Sequence, residues 1–139
     1  MGSFTSLDIS ASGLSAQRQR LDVIANNIAN ANTTRTPQGG AYKREQVVFS
    51  ARMESLGVGA AQPAGVEVPS VVTDPTPSRP VYDPGHPDAD VKGYVQMPNV
   101  NIVQEMVDMV SATRAYEANV TAMSAAKTMA LKALDLGRG

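Results

Sequence analysis

His86 is the only histidine in this chain of 139 residues, and Asp83, Asp88 and Asp90 stand close to it. An imidazole among carboxylates is an oxygen-rich set of the kind that holds a cation. The spacing fits no EF-hand loop, which needs alternating ligands, a glycine and a distant bidentate acid. The prolines and glycine threaded through Asp83-Pro-Gly-His-Pro-Asp-Ala-Asp90 read instead as a rigid turn. Nucleophilic catalysis needs an activated hydroxyl or thiol with a base in reach. There is no cysteine, no second histidine and no G-x-S-x-G elbow. Neither a P-loop nor a dinucleotide fingerprint occurs, so no cofactor, metal site or catalytic group is expected.

Composition narrows the classes further. The net charge is −1, which leaves no positive field to attract a phosphate backbone, so nucleic-acid binding is not expected. Charge is balanced by region too: Asp8 and Asp22 offset Arg18 and Arg20 near the start. No run of 18 apolar residues occurs, so no membrane insertion is expected. No basic n-region with an apolar h-region opens the chain, and no cleaved secretory signal is expected. Only 4% of residues are aromatic, and none is Trp, so large side chains to fill a globular core are scarce. An isolated monomer should be marginally stable.

The elements that must carry any function are marked by proline. All nine prolines lie between Pro37 and Pro98, leaving two proline-free ends. Large apolar residues recur every seven positions at the start: Leu7, Leu14, Leu21 and Ile28, with Ala11, Arg18 and Ala25 between. That is a coiled-coil seam. Asn26, Asn27, Asn30 and Asn32 close it, either as simple helix terminators or as polar residues that fix register between packed helices. The other end predicts a longer helix. Asn101 is its N-cap, Glu105 and Asp108 suit its positive start, Lys132 and Arg138 its negative end, and Gly137 stops it. A second seam runs Ile102, Met106, Met109, Thr113, Tyr116, Val120, Met123, Lys127, Ala130, Leu134. Beside it a small stripe of Ala115, Ala118, Ala122 and Ala125, with Val103, Val107 and Val110, is assigned to neighbouring subunits or register.

The expected fold is therefore mainly α with a small β element, elongated, its terminal helices packed as a coiled coil around an irregular Pro-rich middle. The divisions are 1–34, 35–98 and 99–139. Within the middle, Tyr42–Phe49 and the valines from Val66 to Val72 read as strands, the latter bulged or at an edge because of Pro69. Residues 55–64 read as a mobile loop, and Gly93–Gln96 as a last short strand. At 1.5 Å per residue, 101–136 spans roughly 54 Å, longer than the ~37 Å diameter of a compact chain of this size. A molecule of this kind needs partners.

Two segments carry a resemblance. Ala25-Asn-Asn-Ile-Ala-Asn-Ala-Asn-Thr33 and Arg114-Ala-Tyr-Glu-Ala-Asn119 resemble the paired terminal signatures of bacterial flagellar rod, hook and hook–filament junction proteins. Val81-Tyr-Asp-Pro-Gly-His-Pro-Asp-Ala-Asp90, Gly93-Tyr-Val, Pro98-Asn-Val-Asn101 and Glu105-Met-Val-Asp-Met109 look like the proximal-rod branch of that family. The resemblance implies a non-enzymatic subunit of the torque-transmitting shaft, exported unfolded without a cleaved signal. It also implies terminal helices forming an inner layer around the export channel. The implied partners are further copies of the chain, other proximal- and distal-rod subunits, and the export-gate adapter at the base. A soluble helical adapter or secretion chaperone is the alternative that shares amphipathic ends.

Overall fold

The computed structural model of the chain describes residues 2–57 and 60–137. Helix α1 (Gly2–Ala29) is followed by strands β1 (Glu45–Gly57), β2 (Ala60–Thr73), β3 (Arg79–Tyr82) and β4 (Tyr94–Met97), then helix α2 (Ile102–Leu136). The architecture is two long helices packed on each other, with two separate antiparallel strand pairs between them in sequence. No helix among the described residues is long and apolar enough to cross a membrane.

Proline-free sequence lets both helices run unbroken. Asn101 caps α2, its side-chain oxygen accepting from the amides of Val103 and Gln104 at 3.1 and 3.3 Å. Gly137 ends it with φ −78°, so the helix stops without a left-handed residue. Arg138, expected at that end, lies outside the described residues. The helices are antiparallel: Asn27 reaches Glu105, Arg20 reaches Asp108, and Gly13 abuts Asn119.

The face that α2 turns inward differs from the one its large apolar residues mark. Glu105, Ala112 and Ala126 are buried, and Met109, Tyr116, Asn119, Met123 and Ala130 are half-buried. That set keeps four–three spacing and shares Met109, Tyr116, Met123 and Ala130 with the expected seam. The other half is corrected. Ile102, Met106, Val120 and Leu134, expected between the helices, are exposed, and the places of Met106 and Val120 go to Glu105 and Asn119, one position earlier. The reason is distance. A Cβ on Gly13 would sit 3.0 Å from the Asn119 amide nitrogen, and Ala16 and Ala112 are both buried at this interface. At this closest approach the backbones leave room for alanine but not for a valine or methionine side chain. On α1, Ala16, Ile24, Asn27 and Ala31 are buried. Leu7, Leu14, Leu21 and Ile28 lie half-buried along the flank.

The hairpin β1–β2 is longer than expected, because 55–57 and 60–64 are strand and not loop. Residues 58–59 of that stretch lie outside the described residues. Its register shifts between Val48 and Ser50, opposite Pro69, where the missing amide cannot serve the ladder. It folds back along α1: Glu45 sits beside Asn27, while the Val66 amide donates to Ser12 Oγ at 3.0 Å. Fifteen helical residues and seven strand residues both span roughly 23 Å, so the two elements run side by side. Gly65 makes this approach feasible. Its φ is +132°, and a Cβ there would fall 2.3 Å from Ser12 Oγ. β3 was not anticipated; it pairs with β4, and Tyr82 meets Tyr94 edge-on at 5.3 Å.

Gly65→Ala combines a disfavoured backbone with a clash, and is expected to cost about 1–3 kcal/mol. Urea unfolding followed by circular dichroism checks this; an unchanged midpoint would show that the hairpin does not depend on its seat on α1.

Candidate functional site

At the end of the helix pair where α1 stops and α2 begins, three segments meet around one amide. Asn27 is 1% exposed and uses its full bonding capacity. Its Nδ2 donates to the Glu45 carbonyl at 2.8 Å and to Glu105 Oε2 at 3.0 Å. Its Oδ1 accepts from the Glu45 amide and the Tyr42 hydroxyl, each at 2.9 Å. Glu105 is wholly buried, and its second oxygen accepts from Arg44 Nε at 2.5 Å.

Arg44 extends the network. Its terminal nitrogens lie 3.6 Å from both Asp74 and Asp108, and Arg20 lies 3.6 Å from the other oxygen of Asp108. Asn99 accepts from the Arg44 amide at 2.7 Å and donates to the carbonyls of Asp74 and Thr76. Helix α1, the loop into β1, the end of β2 and the start of α2 are thereby joined. Burial, reinforced by the negative charges of Glu45 and Glu105, pushes the Tyr42 phenol above its ordinary value, so it stays a donor. Hydrogen bonds from Thr76, with help from Gln46 and Arg44, hold Asp74 below the usual carboxylate range and thus charged toward Arg44.

Three of the four asparagines singled out above part company here. Asn27 is the buried link between helices. Asn26 is exposed but touches the network, its Nδ2 donating to the Tyr42 hydroxyl at 3.3 Å, while the Asn30 amide bonds back to Asn26 and Thr33 bonds to Asn30, which turns the chain out of α1. Tyr42, Arg44, Asp74 and Asn99 were not among the candidate site residues, and Glu105 entered as a favourable helix-start charge and within the Glu105–Met109 resemblance. One signal existed: Glu105 is in seven-residue phase with Ala112, Asn119 and Ala126.

The remaining candidates lie on the outside. Val103, Met106, Val107 and Val110 form an exposed apolar strip at the start of α2. Ala118, Ala122 and Ala125 are exposed and Ala115 is half-buried, so this small-residue face turns away from α1. Near the opposite end, Met129, Leu131, Leu134 and Leu136 are exposed. These surfaces are dry-natured and unpartnered within the chain.

The histidine–aspartate segment is committed to its own turn. Asp83 accepts from the Gly85 amide, His86 Nδ1 from the Asp88 amide, and Asp90 from the amides of Lys92 and Tyr94. Asp88 reaches out to the Thr34 hydroxyl at 2.7 Å and to Arg35. Among the described residues no group of His, Asp and Glu is arranged to hold a metal.

Two consequences are measurable. Glu105→Ala leaves the buried Asn27 amide short of an acceptor and should lower stability by about 1–3 kcal/mol. The partly exposed Arg20→Ala should cost about 1 kcal/mol or less, and equal losses in chemical denaturation would refute the assigned hierarchy. The Thr34 hydrogen bond, then the Arg35 charge, lower the Asp88 carboxyl below its ordinary 3.8. A depressed folded value means the tie is intact above the unfolded value and is lost as pH falls through the folded one. His86 resonances should therefore report release of the 83–93 turn below about pH 4.

Comparison with known proteins identifies relatives of the chain. Residues 7–35 match the family described as flagella basal body rod protein, and 91–136 the family described as flagellar basal body rod FlgEFG protein C-terminal. The chain is 47% identical to the flagellar basal-body rod protein FlgC of Borreliella burgdorferi, with 100% of both chains covered. It is 46% identical to that of Bacillus subtilis over 99% of this chain and 100% of the relative. For Escherichia coli O157:H7 the identity is 48%, covering 94% and 95%. With both terminal helices matched and relatives this similar along the whole length, the chain belongs to the FlgC family of flagellar basal-body rod proteins.

Proposed function

We propose that this chain is a structural subunit of the flagellar rod that assembles with other basal-body rod components through the outer faces of its helix pair. The observation that carries the reading is the division of side chains on α2. The inward face mixes Glu105, Ala112, Asn119 and Ala126 with Met109, Tyr116 and Met123, while Val103, Met106, Val107, Val110, Val120, Met129, Leu131 and Leu134 face outward. A helix that is to be buried on several sides needs apolar residues all round. A soluble adapter or chaperone would instead hide them within the monomer.

In this reading the segments 1–34 and 99–139 form the inner layer of the tube, and 35–98 lies outside it. Contacts between unlike faces of successive subunits build an open helical array. Many parallel helices then resist torsion together, which is what a drive shaft around an export channel requires. The polar junction of Asn27, Arg44 and Glu105 holds the hairpin at a set angle to the helices, so load on the outer segment reaches the inner one. The chain performs no reaction; it leaves the cytoplasm unfolded by the flagellar export route, crosses the periplasm within the rod, and meets the export-gate adapter at its base.

Val107→Asp and Val120→Asp alter exposed positions, so the purified variants should keep wild-type helix content by circular dichroism. In assembly each would bury an unpaired carboxylate, and motility in soft agar should be abolished. A clean deletion should stop assembly after the membrane ring and before the hook. Normal swimming of both point variants would remove the outer faces of α2 from the mechanism.

A further inference from the structure

The segment Arg114-Ala-Tyr-Glu-Ala-Asn119 is only half used by the fold. Tyr116 and Asn119 are half-buried toward α1, whereas Arg114 and Glu117 are exposed on the other side of α2. Their three-residue spacing would let them meet, yet neither has an ionic partner among the described residues. They belong to an exposed row with four–three spacing: Val103, Val107, Val110, Arg114, Glu117, Thr121.

Helix α1 carries a counterpart on the face turned away from α2. Ala11, Ser15, Arg18, Asp22, Ala25 and Ala29 are exposed at the same alternation of four and three. Arg18 and Asp22 also lack ionic partners among the described residues. Laid antiparallel, the two rows fit along their length. Glu117 meets Arg18 and Arg114 meets Asp22, while Val110 falls on Ala25 and Val107 on Ala29. Large side chains over small ones let the axes approach closely. The contact would cover Val107 and Val110, which are 59 and 55% exposed in the single chain. Laid parallel, the same rows set cation against cation and anion against anion, which repel.

The helices of each chain are antiparallel, so copies pointing the same way offer α1 to a neighbour's α2 in the favourable sense. The match also fixes an offset. Within one chain Gly13 lies against Asn119, which puts Arg18 level with Arg114. Pairing Arg18 with Glu117 shifts the neighbour by three residues, roughly 5 Å along the helices. A contact between unlike faces with such an offset climbs without closing.

We propose that α2 of one copy packs side by side on the outer face of α1 of a second copy, with Glu117 on Arg18, Arg114 on Asp22, and Val110 and Val107 on Ala25 and Ala29. This rests on the rod reading above and specifies one of its contacts.

The chain has no cysteine, so engineered pairs report without background. Cells carrying Ala25→Cys with Val110→Cys as their only copy are oxidised, basal bodies are purified, and products are separated without reductant. Within one copy these sites lie on opposite sides of the helix pair, out of disulfide reach. Linked dimers and higher multiples are therefore expected to report contacts between copies. The control pair Ala25→Cys with Thr128→Cys, out of register on α2, should give at least tenfold less. Ser15→Cys with Thr121→Cys provides a second pair in register. Arg18→Glu should reduce both cross-linking and swimming in soft agar several-fold, and adding Glu117→Arg should restore both. Basal bodies that hold the chain but yield no linked multiples from either pair overturn the contact and leave the rod reading intact. Wild-type swimming of Arg18→Glu, or no rescue by Glu117→Arg, overturns it as well, and needs no cysteine. A photo-crosslinking residue at Ala25 should capture this chain; capture of a different rod protein instead overturns the second copy as occupant. Absence of the wild-type chain from basal bodies would sink the rod reading itself.

Discussion

A carboxylate sealed from water must be met by donors, and Glu105 meets them only when three distant stretches of chain come together. Asn27 approaches from α1 and Arg44 from the loop into β1. Neither donor is on α2 itself, so the start of that helix cannot be buried correctly without the other two. The ion pair need not add much net stability, since the cost of taking charge out of water offsets most of its attraction. Its contribution is specificity. A slip of α1 along α2 by one turn would leave Glu105 without its donor and the Asn27 amide with an unanswered carbonyl at Glu45, so competing registers are heavily penalised.

That junction frees the rest of the interface to be small. With register set by polar groups at one end, Gly13, Ala16, Ala112 and Ala126 bring the backbones close, and few large side chains are needed between them. The valines and leucines of α2, with Met106 and Met129, are thereby left on the outside. The same arrangement explains why the molecule has so little apolar interior of its own and why its outer helix faces suit a multi-subunit shaft. The hairpin shares in this economy. Gly65 and Ala64 let it lie flat on α1 at Ser12, and its base is tied to Asn27 through Glu45.

Much of this was legible beforehand. Exclusion of proline from both ends located the helices, Asn101 marked where α2 begins, and Pro69 marked the irregularity in the hairpin. Gly93–Gln96 was placed one residue from the strand that forms. The stretch 55–64 misled because glycine and alanine are poor strand formers in isolation; a partner strand of equal length overrides that preference. β3 escaped notice since Arg79-Pro-Val-Tyr82 is too short to show a pattern.

Periodicity by itself established two long helices with four–three seams, and the absence of cysteine and of any catalytic constellation turned attention from chemistry to assembly. Which stripe of α2 faces α1 was a different question. Apolar spacing ranks faces by hydrophobicity, and by that measure Ile102, Met106, Val120 and Leu134 should have been inside. The folded chain chose Glu105, Ala112, Asn119 and Ala126, because the distance between backbones and the donors offered by Asn27 and Arg44 exist only once the segments are assembled in space. A one-dimensional pattern cannot separate residues buried within a subunit from residues kept for a neighbour; both are apolar and both repeat with the helix.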